Sequence, residues 1–172
     1  MRARWLHAAG HADEAVIARF RARRTYIGQL ELLAAVAAYT TFADELRGRD
    51  VIHWIDNTGA LAALIKGYAR EVDSARIVHA FHALGMGLRV RVWLEYVASK
   101  ANIADFPSRG VFDMLSGLQS EARPLVMPAL SGWEDEAAVW AQLGEGAQGA
   151  GRRRRPAPDG VAGPVRPRRR RH

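Results

Sequence analysis

Three acidic residues stand where acids are costly. Asp56 ends the run Val51-Ile52-His53-Trp54-Ile55, and Asp105 lies within Ala101-Asn102-Ile103-Ala104-Asp105-Phe106-Pro107-Ser108-Arg109. Glu31 falls inside the apolar stretch Ile27-Gly28-Gln29-Leu30-Glu31-Leu32-Leu33-Ala34-Ala35-Val36. Ionised carboxylates brought together lose hydration and repel, so a fold tolerates them best around a hard cation such as Mg²⁺. On a helix, a strand end and a second helix, the three can converge on one edge, as two-metal phosphoryl transfer requires. Each also has a plain reading. Asp56 can cap the helix that follows it, Glu31 can sit in a favourable helix dipole, and Asp105 can pair with Arg109 at i+4.

Other chemistry-bearing residues are scattered. His79 and His82 share a helix face at i, i+3, a spacing that admits a metal but more often packs or faces solvent. The aromatic pair Trp54 and Trp93 lies in strand-like runs and is expected in the core. Arg152–Arg155 and Arg168–Arg171 suit a phosphate backbone, a nuclear-localisation-like address, or no selected role.

The elements that must position the acids follow from periodicity. Residues 27–47 read as one long helix with Ile27, Leu30, Leu33, Ala34, Ala37 and Ala38 at helical spacing. A strand over 51–56 precedes a helix over 58–66, capped by Asn57 or Thr58 and ended by Gly67. Asp73-Ser74 suits the cap of a helix over 75–86, closed by Gly85 and Gly87. A strand spans 88–97, and a short helix over 101–106 should stop before Pro107. Trp5-Leu6 and Ala15-Val16-Ile17 suit short strands. Helices between strands imply parallel pairing and an α/β layer fold, with sites at the carboxyl ends of strands.

Composition sets the remaining bounds. The chain has 172 residues and no Cys, so disulfides and thiolate metal sites are excluded. No apolar run reaches the roughly 18 residues that span a bilayer, so no membrane partner is expected, and an intracellular setting is, nucleus or cytoplasm left open. The net charge of +7 belongs to the end of the chain: residues 151–172 contribute +8, leaving −1 for residues 1–150. The domains are read as 1–110, then an extension over 111–143 packing on it, then a disordered basic tail over 144–172.

The Gly28-Gln29-Leu30-Glu31-Leu32-Leu33 helix, the Val51-to-Ala60 strand end with Asp56-Asn57-Thr58-Gly59, and the closing Asn102-to-Arg109 segment resemble, in this order, the ribonuclease H domain of retroelement reverse transcriptases. The likeness is strongest to the DIRS-type (tyrosine-recombinase) retrotransposon branch and covers residues 15–110. It implies an RNase H-like mixed sheet of five strands flanked by helices. It implies cleavage of RNA in RNA·DNA hybrids with two Mg²⁺ ions, beside a polymerase domain. Glu31, Asp56 and Asp105 correspond to three of the family's four metal-binding carboxylates. The fourth belongs to a first strand that has no match here, since Asp13 and Glu14 are the only acids before Glu31. The chain is thus expected to be N-terminally incomplete, with poor cleavage unless another chain supplies that strand. The alternative is a non-catalytic nucleic-acid-binding remnant.

Overall fold

A computed structural model describes residues 4–128, and the readings that concern 129–172 lie outside them. In chain order the elements are β1 (Leu6–His7), α1 (Glu14–Ile17), α2 (Ile27–Thr41), α3 (Ala43–Leu46), β2 (Asp50–Ile55), α4 (Thr58–Lys66), α5 (Val72–Leu88), β3 (Arg91–Tyr96), α6 (Asp105–Ser108), α7 (Asp113–Gly117) and β4 (Glu121–Ala122). A single 3₁₀ turn, Ser99–Ala101, precedes α6. The fold is mixed α/β. Its strands form two small parallel sheets, β2 with β3 and β1 with β4, rather than one five-stranded mixed sheet among the described residues.

The core lies between the inner face of β2–β3 and the helices α2, α4 and α5. Leu32, Leu33, Val36 and Tyr39 of α2 meet Ile77, Val78 and Phe81 of α5, with Leu64 of α4 and Ile55 of β2. The Tyr39 and Phe81 rings are tilted 4.7 Å apart, and His53 stacks on Tyr39 at 5.7 Å. Burial pushes the Tyr39 hydroxyl up to about 12, and among the described residues it has no hydrogen-bond partner.

The helical period of α2 was legible, but its buried face only in part: Leu33 and Ala37 of the expected stripe are buried. Ile27, Leu30 and Ala34 are exposed, whereas Gln29, Leu32, Leu33 and Val36 are buried. Apolar residues surround this helix almost entirely, so hydrophobicity alone does not orient it. Gln29 enters the interior because its amide donates to Ser74 Oγ at 2.8 Å. The helix also breaks at Phe42 (φ −107°, ψ 28°), so α3 is separate.

Around the site the local signals mostly hold. Asn57 Oδ1 accepts from Ala60 N at 2.9 Å and caps α4, which ends at the left-handed Gly67. Helix α5 starts earlier than its cap signal, because Asp73 turns outward from the helix to a different task. It accepts from the backbone N–H of Arg21 and forms an ion pair with Arg23, tying the segment before α2 to the start of α5. The same helix runs through Gly85 and Gly87 to Leu88, and Arg89 takes the left-handed cap position at φ 56°. Residues 14–17 are helical and not a strand, with Asp13 as N-cap. Pro107 lies inside α6 rather than after it. It occupies the third helical position, where its missing N–H has no intrahelical carbonyl to satisfy.

The extension after residue 110 is joined to the domain at several points. β4 pairs with β1, Val126 exchanges hydrogen bonds with Thr40 and Thr41, and Met127 packs against the core. Leu125 closes over Gly10, whose absent Cβ would meet Leu125 Cδ2 at 2.5 Å.

Candidate carboxylate site

β2 and β3 run in register from Asp50↔Arg91 to Ile55↔Tyr96, and the ladder extends to Val97 N donating to Ile55 O at 3.1 Å. Asp56 follows β2 at once, at the carboxyl edge of this sheet, where open α/β folds build their sites. Its backbone is held from both sides, by the ladder at Ile55 and by the Asn57 cap. Glu31 projects from the first turns of α2, flanked by the buried Leu32 and Leu33. Asp105 opens α6, which follows β3 after a loop and one 3₁₀ turn.

The structure brings the three acids within electrostatic reach of one another. The Glu31 carboxyl is pushed above the ordinary carboxylate range, first by partial burial, then by the charges of Asp56 and Asp105. Both aspartates thus act on Glu31 through space, although Asp105 lies 74 positions from Glu31 in the chain. The side chains stand further apart than a closed ligand shell: among the described residues no three His, Asp or Glu side chains are arranged to hold an ion directly. The donor set itself suits Mg²⁺, since three carboxylates are hard oxygen donors and Mg²⁺ retains several waters that extend its reach. Asp105 also accepts from Arg109 at 3.1 Å, one turn on. Arg109 is largely exposed, and an exposed i, i+4 pair contributes only about 0.3–0.5 kcal/mol, so a cation can replace it at little cost.

The neighbouring polar residues are occupied locally. Asn102 Oδ1 accepts from Ala104 N at 3.1 Å, Ser108 donates to Asp105 O at 2.9 Å, and Lys66 is exposed in the last turn of α4. The two histidines at i, i+3 part company: His79 is exposed, while a ring nitrogen of His82 lies 2.9 Å from Leu64 O.

Trp54 and Trp93 are not core residues. Their exposures are 54% and 67%, and Ile52 beside them is at 61%. They lie on the outer face of β2–β3, opposite His53, Ile55, Val92 and Leu94. No contrary signal stood in the sequence, because both parities of Val51-Ile52-His53-Trp54-Ile55 are apolar or aromatic and alternation does not tell the inner face from the outer. Among the described residues no helix is long and apolar enough to cross a membrane. Comparison of the chain with protein-family models, with curated proteins and with solved structures finds no match.

Proposed function

We propose that this chain carries an RNase H-like nuclease domain of the kind found in retroelement reverse transcriptases, directed at the RNA strand of RNA·DNA hybrids. One observation carries the reading. Asp56 lies at the carboxyl edge of one parallel sheet, and the partly buried Glu31, from another segment of the same sequence pattern, feels the charges of both Asp56 and Asp105. A fold has no structural reason to set two carboxylates against a third, because the arrangement costs stability.

In this reading Asp56 is the fixed ligand, held on the strand end by the ladder and by the Asn57 cap. Glu31 and Asp105 complete the cluster from α2 and α6. Bound Mg²⁺ would activate water for attack on phosphorus and stabilise the departing 3′ oxygen. The protein's own contribution is to hold three anionic oxygens on rigid elements, so that a hydrated cation and a phosphodiester meet in fixed geometry. Recognition of the hybrid would rest on groove shape and 2′-hydroxyls more than on bases.

A binding-only reading has one observation in its favour, the Arg109–Asp105 pair that engages a member of the cluster. End-labelled RNA·DNA hybrid, incubated with the purified chain in Mg²⁺ beside Asp56→Asn, separates the two. Cleavage by the parent and not by the variant supports the nuclease. Binding that ignores Mg²⁺ and falls steeply with salt, without cleavage, supports the binding module and rejects the nuclease.

A further inference from the structure

The outer face of β2–β3 combines three facts. It exposes Ile52, Trp54 and Trp93 side by side, since Ile52 pairs in register with Trp93 and Trp54 with Glu95. Two tryptophans can bury about 150–250 Å² each, so leaving this face in water forgoes several kcal/mol. At the amino ends of the same strands the chain gathers arginines. Gly48 N donates to Leu88 O and Arg91 N to Arg49 O, which sets exposed Arg47, Arg49, Arg89 and Arg91 at one corner. Asp50 is paired with Arg91 there, and Asp44 is exposed nearby, so the corner remains net positive.

The described chain ends by the α2–α3 junction, a few residues before that corner in the chain. Val126 N donates to Thr41 Oγ1 at 3.0 Å, Val126 O accepts from the Thr40 hydroxyl, and Arg123 pairs with Glu45 of α3. α3 leads directly into Arg47 and β2. Six residues beyond Pro128 the sequence reads Glu134-Asp135-Glu136. Six extended residues reach about 20 Å, enough to bring this acidic triplet to the arginine corner. The same stretch carries a helix signal: Ser131 with Glu134 three positions on has the form of a capping box, and Gly144 suits the stop. Between them Trp133, Ala137 and Trp140 recur at i, i+4, i+7, with Leu143 beside them. In helical form residues 132–143 would span about 18 Å and the six residues of β2 span about 20 Å, so such an apolar stripe would match the length of the face.

We propose that residues 131–143 of this same chain cover the outer face of β2–β3, with Trp133 and Trp140 set against Ile52, Trp54 and Trp93 and the acidic first turn at the Arg47–Arg91 corner. The sheet then has cover on both sides, and the carboxylate edge is left open because the segment approaches from the amino ends of the strands. This arrangement is independent of whether the carboxylate site cleaves hybrid.

The chain has no Cys, so a single introduced thiol reports on the face. In full-length protein, maleimide labelling of Ile52→Cys is compared with that of Ser116→Cys, an exposed position on α7. We expect Ile52→Cys to react at least about ten-fold more slowly, with a rate ratio unchanged on dilution. Equal rates would overturn the proposal. Protection that disappears on dilution would also overturn it, by assigning the face to a second copy. As an independent measurement, mild oxidation of Ile52→Cys/Ala137→Cys should give an intramolecular disulfide that leaves both tryptophans in place. Failure of that disulfide to form, or its formation only between molecules, would reject the intramolecular cover.

Discussion

Two acidic regions of this molecule meet the same physical problem and resolve it in opposite ways. Asp73, at the start of α5, is only 7% exposed. Burial works to raise its carboxyl, but N–H donors from Arg21 and Ser74 and the Arg23 guanidinium outweigh burial and hold it below the usual range. Glu31 is only partly buried, yet its carboxyl moves up, first because burial meets no compensating donor among the described residues and then because its charged neighbours are Asp56 and Asp105. The first acid has been given partners and serves the fold. The second has been given competitors, and the fold bears that cost at the place where a cation would remove it.

The largest expected effect comes from breaking the satisfied acid. Asp73→Ala strands the Arg23 guanidinium and two backbone donors, and should lower stability by about 3–4 kcal/mol, read as a lower midpoint in urea denaturation. A loss below about 1 kcal/mol would mean that this corner is solvated and not a tie between α2 and α5.

A third titratable group sharpens the contrast, because it is desolvated with no charged partner at all. Burial among Tyr39 and Phe81 lowers His53 from 6.5 to about 4. Above 6.5 the ring is neutral folded and unfolded, so nothing is lost. As pH falls from about 6.5 to about 4 the unfolded chain takes up a proton that the folded chain refuses. Stability should therefore decline across that window by about 3 kcal/mol at most. The measurement is the difference in pH slope between the parent and His53→Phe. Identical slopes would place His53 in contact with water.

The smallest effects belong to the competing acids, and their sign depends on the cation. Without divalent metal, Glu31→Gln should stabilise the chain at neutral pH by about 0.5 kcal/mol, since it removes an ionised group from among like charges. Its folded proton affinity is raised, so the gain should vanish as pH falls below the ordinary value of 4.5, where the carboxyl is protonated in both states. With Mg²⁺ at ten times its dissociation constant the parent should gain about 1.4 kcal/mol and the order should invert. Thermal unfolding with and without Mg²⁺ reads both. A Mg²⁺ shift that persists in Asp56→Asn would remove this edge as the binding place.

The legible parts were those set by neighbours in sequence. β2, α4 and β3 follow their local signals because caps, stops and β-branched runs act within a few residues, as Asn57 and Gly67 do on α4. That Asp56 and Asp105 act on Glu31 could be anticipated only through the order of three segments, since spacing along the chain says nothing about distance across a fold. Orientation was the poor part. The buried side of α2 is chosen by Gln29 meeting Ser74, 45 residues away, and the start of α5 by Asp73 meeting Arg21 and Arg23. Trp54 and Trp93 misled because aromatic residues in strands are usually covered, whereas here both stand exposed on the outer face of β2–β3. The β1–β4 pairing joins residues more than a hundred positions apart through two-residue strands too short to carry a pattern.

That pairing has a consequence for biosynthesis. Leu6 meets Glu121, and Arg4 binds the Glu121 carboxylate across 117 residues of chain. On a ribosome adding about 5–20 residues per second, the first strand waits on the order of ten seconds for its partner. The α2–α5 layers can assemble in that interval, but the molecule is not closed until residues near 122 emerge. A pause in translation before that point would leave a body whose amino-terminal strand is unclaimed, and chaperone dependence should be greatest there.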